Sequence, residues 1–145
     1  MSTNQDLINY LLSVKADNNK NINQYNIEIT SYNQLIVKLK GLVDDYNAKI
    51  AILQDNNAYI QAIIEFIGSQ NQDLINYQVS IENNNNTLIL NYNRNILMNT
   101  SAISGLENNI NTLNAQIAIL QQDNVYIDTT IALIPPNSGD ITIFG

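Results

Sequence analysis

The side chains of this 145-residue chain that are able to do chemistry are carboxylates, tyrosines and amides, because it contains no histidine and no cysteine. Their absence removes nearly every zinc site, thiol nucleophile and imidazole base. Asp44 and Asp45 are adjacent, and adjacent positions of a helix do not face one ligand together. The sequence has no glycine-rich phosphate loop and no calcium loop. We therefore expect no catalytic residue, no cofactor, no metal ion and no enzyme activity.

Two sets of residues have a spacing suited to recognition. Tyr25, Tyr32 and Tyr46 share one face of a helix, where they form either a ligand slot or, in our interpretation, part of a core. Asn57 and Asn124 interrupt apolar series. We predict that they fix the register of an oligomer, because aligned asparagines bond each other while misaligned ones lie against isoleucine. The alternative is that each faces solvent.

These residues depend on helices with a strict seven-residue repeat. Apolar residues recur every seven positions from Ile22 and from Ile89, with a second series three residues later, over seven heptads in each half. The pattern predicts an all-α fold built as a long segmented heptad coiled coil. The stripe of an ordinary 3.6-period helix would drift by about 20° per heptad. A long antiparallel hairpin also fits the pattern. The predicted oligomer core is Ile22, Ile29, Ile36, Val43, Ile50, Ile60, Ile64, Ile67, Ile103, Leu106, Ile110, Leu113, Ile117, Leu120, Ile127, Ile131 and Ile134.

The composition favours self-association. The net charge is −7 and the six basic residues form no dense patch, so we expect neither nucleic acid nor membrane as a partner. About a quarter of the residues are amides, mostly asparagine, which is an indifferent helix former, so folding should be coupled to assembly. The positions that flank the stripe are mostly neutral and do not select a different partner. We expect a homo-oligomer, with a parallel trimer favoured.

The chain is a tandem duplication. Residues 5–10 recur as 72–77, and residues 48–54 match 115–121, both at an offset of 67. Roughly 27 of 63 aligned positions are identical, far above chance. We predict coiled-coil repeat 1 at 1–67, a turn or kink at 68–71, coiled-coil repeat 2 at 72–134 and a C-terminal tail at 135–145. Doubling of a rod-like segment indicates a mechanical role.

Capping residues predict the outer ends of the helices. Ser2 or Thr3 is the expected N-cap of the first helix, with Asp6 completing a capping box after Thr3. Pro135 and Pro136 end the last helix, because neither donates a backbone hydrogen bond.

Three segments predict irregular backbone. Gly68–Ser69 resembles a C-cap followed by a new N-cap, and we expect the helix to break there, although the apolar spacing continues through it. Asn18–Asn19 and Asn85–Asn86 mark either a stutter in the supercoil or short loops. Each repeat is therefore expected to contain a short segment, an irregular junction and a helix of about 45 residues.

The C-terminal tail departs from the heptad pattern. It is short, β-prone and apolar. Ile141, Ile143 and Phe144 are predicted to dock on another structural protein as an added strand, or to clamp the oligomer. The alternative is a frayed terminus.

A low-charge, asparagine-rich segmented coiled coil with a core asparagine and a β-prone end resembles the fibritin-like whisker and fibre proteins of phage and virus particles. The resemblance implies a structural protein anchored at one end on a virion or other extracellular particle. The first residues are polar and have no signal-peptide pattern, so assembly in the cytoplasm is expected. Two alternatives are an antiparallel hairpin that cements shell subunits and a cytoplasmic scaffold or adaptor.

Overall fold

The computed structural model describes residues 3–135, which form two α-helices, α1 (Asn4–Ile67) and α2 (Gln72–Leu133). No strand occurs between residues 3 and 135, and the predicted all-α class is confirmed. The predicted docking residues Ile141, Ile143 and Phe144 lie outside the described residues, as does Ser2.

The first helix begins at the predicted capping box. The Thr3 hydroxyl accepts a hydrogen bond from the amide of Asp6 at 3.1 Å, and the Asp6 carboxylate accepts one from the amide of Thr3 at 3.1 Å. Two amides that have no partner within the helix are thereby satisfied. Thr3 is the N-cap, and this prediction is confirmed.

The turn between the helices depends on Gly68. This residue has a φ of 61°, a left-handed conformation that glycine adopts without the steric cost of a Cβ atom. Its amide donates to the carbonyl of Ile64 at 3.0 Å. This hydrogen bond is that of the αL C-cap motif, with which α1 ends. The prediction that Ser69 caps the next helix is wrong: the side chain of Asn71 accepts from the amide of Leu74 at 3.0 Å. Asn71 directly precedes Gln72, the first residue of α2, and therefore occupies the N-cap position, whereas Ser69 lies two residues further back.

Both helices continue without interruption through the asparagine-rich segments. Residues 17–21 and 83–87 are helical, so the alternative of short loops is wrong, and each repeat contains one long helix instead of a short segment followed by a helix of about 45 residues. The stutter stays a prediction. Asn18 and Asn85 are buried, and their amides bond to the opposite helix. They therefore do not compete for their own backbone, and packing outweighs their low helix propensity.

The chain forms two compact units, and each contains part of both helices. The turn unit is Gln34–Leu106, and the terminal unit is Met1–Asn33 with Glu107–Gly145. Within each unit, residues that lie later in the first half of the chain contact residues that lie earlier in the second half. Asn4, Lys15 and Asn18, for instance, contact Pro135, Asp128 and Asn124 respectively. The helices are thus antiparallel in the terminal unit. They are also antiparallel in the turn unit, where Asn57 contacts Asn86 and Gln61 contacts Glu82.

The predicted heptad stripe is the covered face in both units. Each residue predicted for the oligomer core is buried or half-buried. The most protected apolar residues are Ile36, Ile50 and Ile60 in the turn unit and Ile117 and Ile127 in the terminal unit. Even so, no side chain among the described residues is completely buried. Two helices alone cover one face of each other and leave the remaining faces exposed.

The N-cap of α2 provides a test of this turn. We expect Asn71→Ala to lower the free energy of unfolding by about 1 kcal/mol, because the amide of Leu74 loses its acceptor. Ser69→Ala is the matched control and should change it by less than about 0.5 kcal/mol, as for other exposed positions. Urea unfolding followed by circular dichroism measures both. Equal effects of the two substitutions would contradict the position of the cap.

Candidate functional site

The turn unit contains a cluster of three asparagines that joins its two helices. Asn85 donates from its side-chain amide to the side-chain oxygen of Asn57 at 2.9 Å, and Asn57 donates to the side-chain oxygen of Asn86 at 2.9 Å. Asn85 is buried, Asn57 is half-buried and Asn86 is exposed. The buried amide therefore has its partner, as buried polar groups require.

The terminal unit contains the same cluster with the helices exchanged. Asn18 donates to Asn124 at 3.0 Å, and Asn124 donates to Asn19 at 2.9 Å. Each residue lies 67 positions from its counterpart in the turn unit, and the direction of donation is also the same. The two repeats thus use one hydrogen-bonding arrangement twice.

The structure brings the predicted register residues to partners that the sequence analysis did not assign to them. Asn57 and Asn124 were expected to meet their own counterparts in other chains. Here each bonds an asparagine pair of the opposite helix in its own chain. A role in oligomer register stays a prediction. The signal for the pairing is that all these asparagines are retained at both repeat positions.

One of the predicted tyrosines takes part in an aromatic contact between the helices. The rings of Tyr46 and Tyr92 have centroids 5.6 Å apart in a tilted arrangement. The ammonium of Lys49 lies 5.8 Å and 5.7 Å from the two centroids, within cation–π range. Tyr46 therefore packs against the opposite helix in the turn unit. Tyr25 and Tyr32 are half-buried in the terminal unit.

A shallow groove runs beside each set of contacts. The groove in the turn unit has a volume of about 210 Å³ and that in the terminal unit about 180 Å³. The residues that line the first, Lys49, Ile52, Leu53, Leu88 and Tyr92, correspond at the 67-residue offset to those that line the second, Gln116, Ile119, Leu120, Asn21 and Tyr25. Both volumes are below the usual range of small-molecule sites.

Polar pairs at one repeat position differ in charge between the units. Lys15 and Asp128 form an ion pair at 2.8 Å in the terminal unit. The corresponding residues of the turn unit are Glu82 and Gln61, which form a hydrogen bond. Because the Asp128 side chain is more than half exposed and that of Lys15 is partly exposed, the ion pair contributes at most about 1 kcal/mol. Its position nevertheless distinguishes α1 from α2.

An exposed apolar surface, which we name the outer stripe, escaped the sequence analysis. In the turn unit it consists of Ile52, Tyr59 and Phe66, whose side chains are 61%, 75% and 92% exposed. The signal was again a spacing of seven residues, here on a face where polar residues are expected.

The terminal unit repeats the outer stripe on α2. Ile119, Tyr126 and Leu133 lie 67 positions after the residues of the turn unit, and all three are exposed. The duplication therefore carries an unpartnered apolar surface together with the covered one.

Two further kinds of site are absent from the described part of the chain. Among residues 3–135, no three potential metal-ligating side chains are grouped, and no helix has an apolar stretch long enough to cross a bilayer. No protein-family model, curated protein or solved structure matches this chain. The asparagine clusters and the outer stripe are the candidate functional features of the described residues.

The asparagine cluster of the turn unit provides the second test. We expect Asn57→Ala to lower the free energy of unfolding by about 1–3 kcal/mol, because the buried amide of Asn85 loses its acceptor. Adding Asn85→Ala should cost less than the sum of the two single changes, because the unsatisfied group is then also removed.

The control for this test is Asn56→Ala at the adjacent exposed position. It should stabilise the helix by a few tenths of a kcal/mol, since alanine is the better helix former. Chemical unfolding of the natural chain, the two single variants Asn57→Ala and Asn85→Ala and the double variant gives the coupling energy. Strictly additive losses for Asn57 and Asn85 would refute the cluster.

Proposed function

We propose that this chain is a non-enzymatic structural protein whose helices form a coiled coil and which self-associates within a larger assembly. The absence of histidine and cysteine from the sequence supports a role without catalysis. The heptad spacing of the covered residues supports the coiled coil. The virion fibre or whisker suggested by the resemblance is the assembly that we favour.

The outer stripe is the observation that carries the proposal. Tyr59 and Phe66 alone expose roughly 300 Å², because such side chains present about 150–250 Å² each. Monomeric proteins rarely expose contiguous apolar patches of more than a few hundred Å², and larger ones mark interaction sites. Leaving this surface in water costs free energy that association would recover.

The spacing within the outer stripe supports a helical partner. Residues seven apart on a helix lie on almost the same line, about 10 Å from one to the next. Side chains placed in this way fit between those of a second helix that has the same period. Ala58 and Ala62, which border a concavity of about 460 Å³ beside Tyr59, leave room for side chains of such a helix.

A second copy of the chain is the partner that best fits this surface. Both units carry the stripe, so each chain offers two attachment points of similar chemistry, and contacts between such points extend from chain to chain. Asp55 is the one charged residue among the four that line the concavity. The trimer and the anchoring of residues 137–145 on another structural protein stay predictions.

The hairpin acting as cement between shell subunits is the second candidate. It is favoured by the turn at Gly68, which pairs the helices within one chain. A cement protein would present the outer stripe to shell subunits instead of to its own copies. The two candidates differ in the mass of the purified protein.

Substitution of the outer stripe tests the proposal. We expect the weight-average mass of the purified chain in sedimentation equilibrium to exceed that of a monomer and to rise with concentration. Changing Ile52, Tyr59 and Phe66 to glutamine should lower it, because the apolar area that drives association is lost. Changing the corresponding residues of α2 as well should lower it further.

The matched control replaces three exposed apolar residues that do not share the seven-residue spacing. Ile27, Val37 and Leu97 have similar exposure, and their change to glutamine should leave the mass unaltered. An identical mass for stripe and control variants would rule out the outer stripe as the contact. A monomer at all concentrations would favour the cement role.

A further inference from the structure

We propose that a second copy of this chain also binds by exchange of helices, so that α1 of one copy packs against α2 of the other. The interaction surface is the covered stripe with its two asparagine clusters, the surface that joins α1 to α2 within one chain. Each unit is then built from both copies, and every contact between α1 and α2 within it is retained. This mode of association does not involve the outer stripe.

The connection between the helices is able to become helical. Only residues 68–71 separate α1 from α2, and all four have a backbone N–H. The amide of Gly68 already bonds the carbonyl of Ile64, which is the bond that it would make in a continuing helix. The position that corresponds to Gly68 in the second repeat is Pro135, followed by Pro136, where a helix cannot continue. The sequence thus blocks extension at one repeat end and permits it at the other.

A helix carried through residues 68–71 keeps the apolar stripe on one face. Ile67, Asn71 and Ile75 follow one another at steps of four, and Ile64 and Gln78 continue the series at steps of three. Two successive steps of four are the pattern of a stutter, which locally unwinds a supercoil but keeps the series on one face. An extended chain therefore offers α1 and α2 to a second extended chain with one stutter at the connection. Exchange of identical elements through a short hinge is a known low-cost route to dimers.

The charged pairs favour the pairing of α1 with α2 of a second copy over the pairing of α2 with α2. Pairing α1 with α2 of a second copy reproduces the Lys15–Asp128 ion pair and the bond between Gln61 and Glu82. Pairing α2 with α2 in the same register would place Glu82 opposite Asp128 at both ends. Facing carboxylates repel, which disfavours that arrangement. The covered stripe of α1 is therefore expected to bind α2 of the second copy, and that of α2 to bind α1 of the second copy.

The Lys15–Asp128 pair provides a direct test. The two groups lie 2.8 Å apart, so a zero-length carbodiimide reagent can join them as an amide. Equal amounts of ¹⁴N- and ¹⁵N-labelled full-length chain are unfolded in urea, refolded together and cross-linked, and the linked peptides are weighed by mass spectrometry. Helix exchange gives links between ¹⁴N and ¹⁵N peptides, whose share rises with protein concentration toward about one half. Association through the outer stripe raises the mass but leaves these links within one chain.

Gly68→Ala sharpens the test. Alanine disfavours the left-handed turn by about a factor of ten for each chain, so the dissociation constant of the exchanged dimer should fall about 100-fold. An added Cβ at Gly68 meets nothing within 4 Å, and the same holds for Gly41 in α1, which makes Gly41→Ala the matched control. Mixed-isotope links that increase with Gly68→Ala and not with Gly41→Ala support the proposal. Links confined to one isotope in both the natural chain and Gly68→Ala, at every concentration, would overturn it.

Discussion

Coverage of the apolar stripe by an opposing helix is the interaction on which the rest of this structure depends. Asparagine costs several tenths of a kcal/mol per residue in a helix relative to alanine, and both α1 and α2 contain many asparagines. Helices of this composition gain their stability from packing rather than from propensity. Without the opposing helix, the asparagines of each cluster would lose their hydrogen-bond partners, and the turn at Gly68 would not join two packed helices.

The apolar stripe alone does not fix which residues meet. Isoleucine recurs every seven residues, so a shift by one heptad would still place isoleucine against isoleucine. The asparagine clusters remove this ambiguity, because such a shift would leave Asn18 and Asn85 buried without their partners. Each unsatisfied amide would cost about 1–3 kcal/mol. The apolar residues therefore supply most of the stability, while six asparagines determine the alignment.

Much of the fold could be predicted from local features of the sequence. The capping box at Thr3 and the face that becomes covered depend on side chains close together along the chain, and the structure has both. The partners of Asn57 and Asn124 could not be derived in this way, because a heptad pattern is the same for a parallel oligomer and an antiparallel hairpin. The alternative of loops at the asparagine pairs was wrong because tertiary hydrogen bonds outweighed local propensity. The outer stripe was not predicted, because its seven-residue spacing falls on a face of the helix where the heptad pattern leads one to expect polar residues.

The four-residue connection between α1 and α2 has a further consequence. Two separate copies of the repeat, associated antiparallel, would form the contacts of one unit twice, and their pairing would depend on how much protein is present. A short connection gives each repeat an effective concentration of the other that is typically in the millimolar range. With the two repeats joined, their pairing is a folding reaction within one molecule instead of an association between molecules. Marginal helices can then remain paired at dilutions at which independent copies would separate.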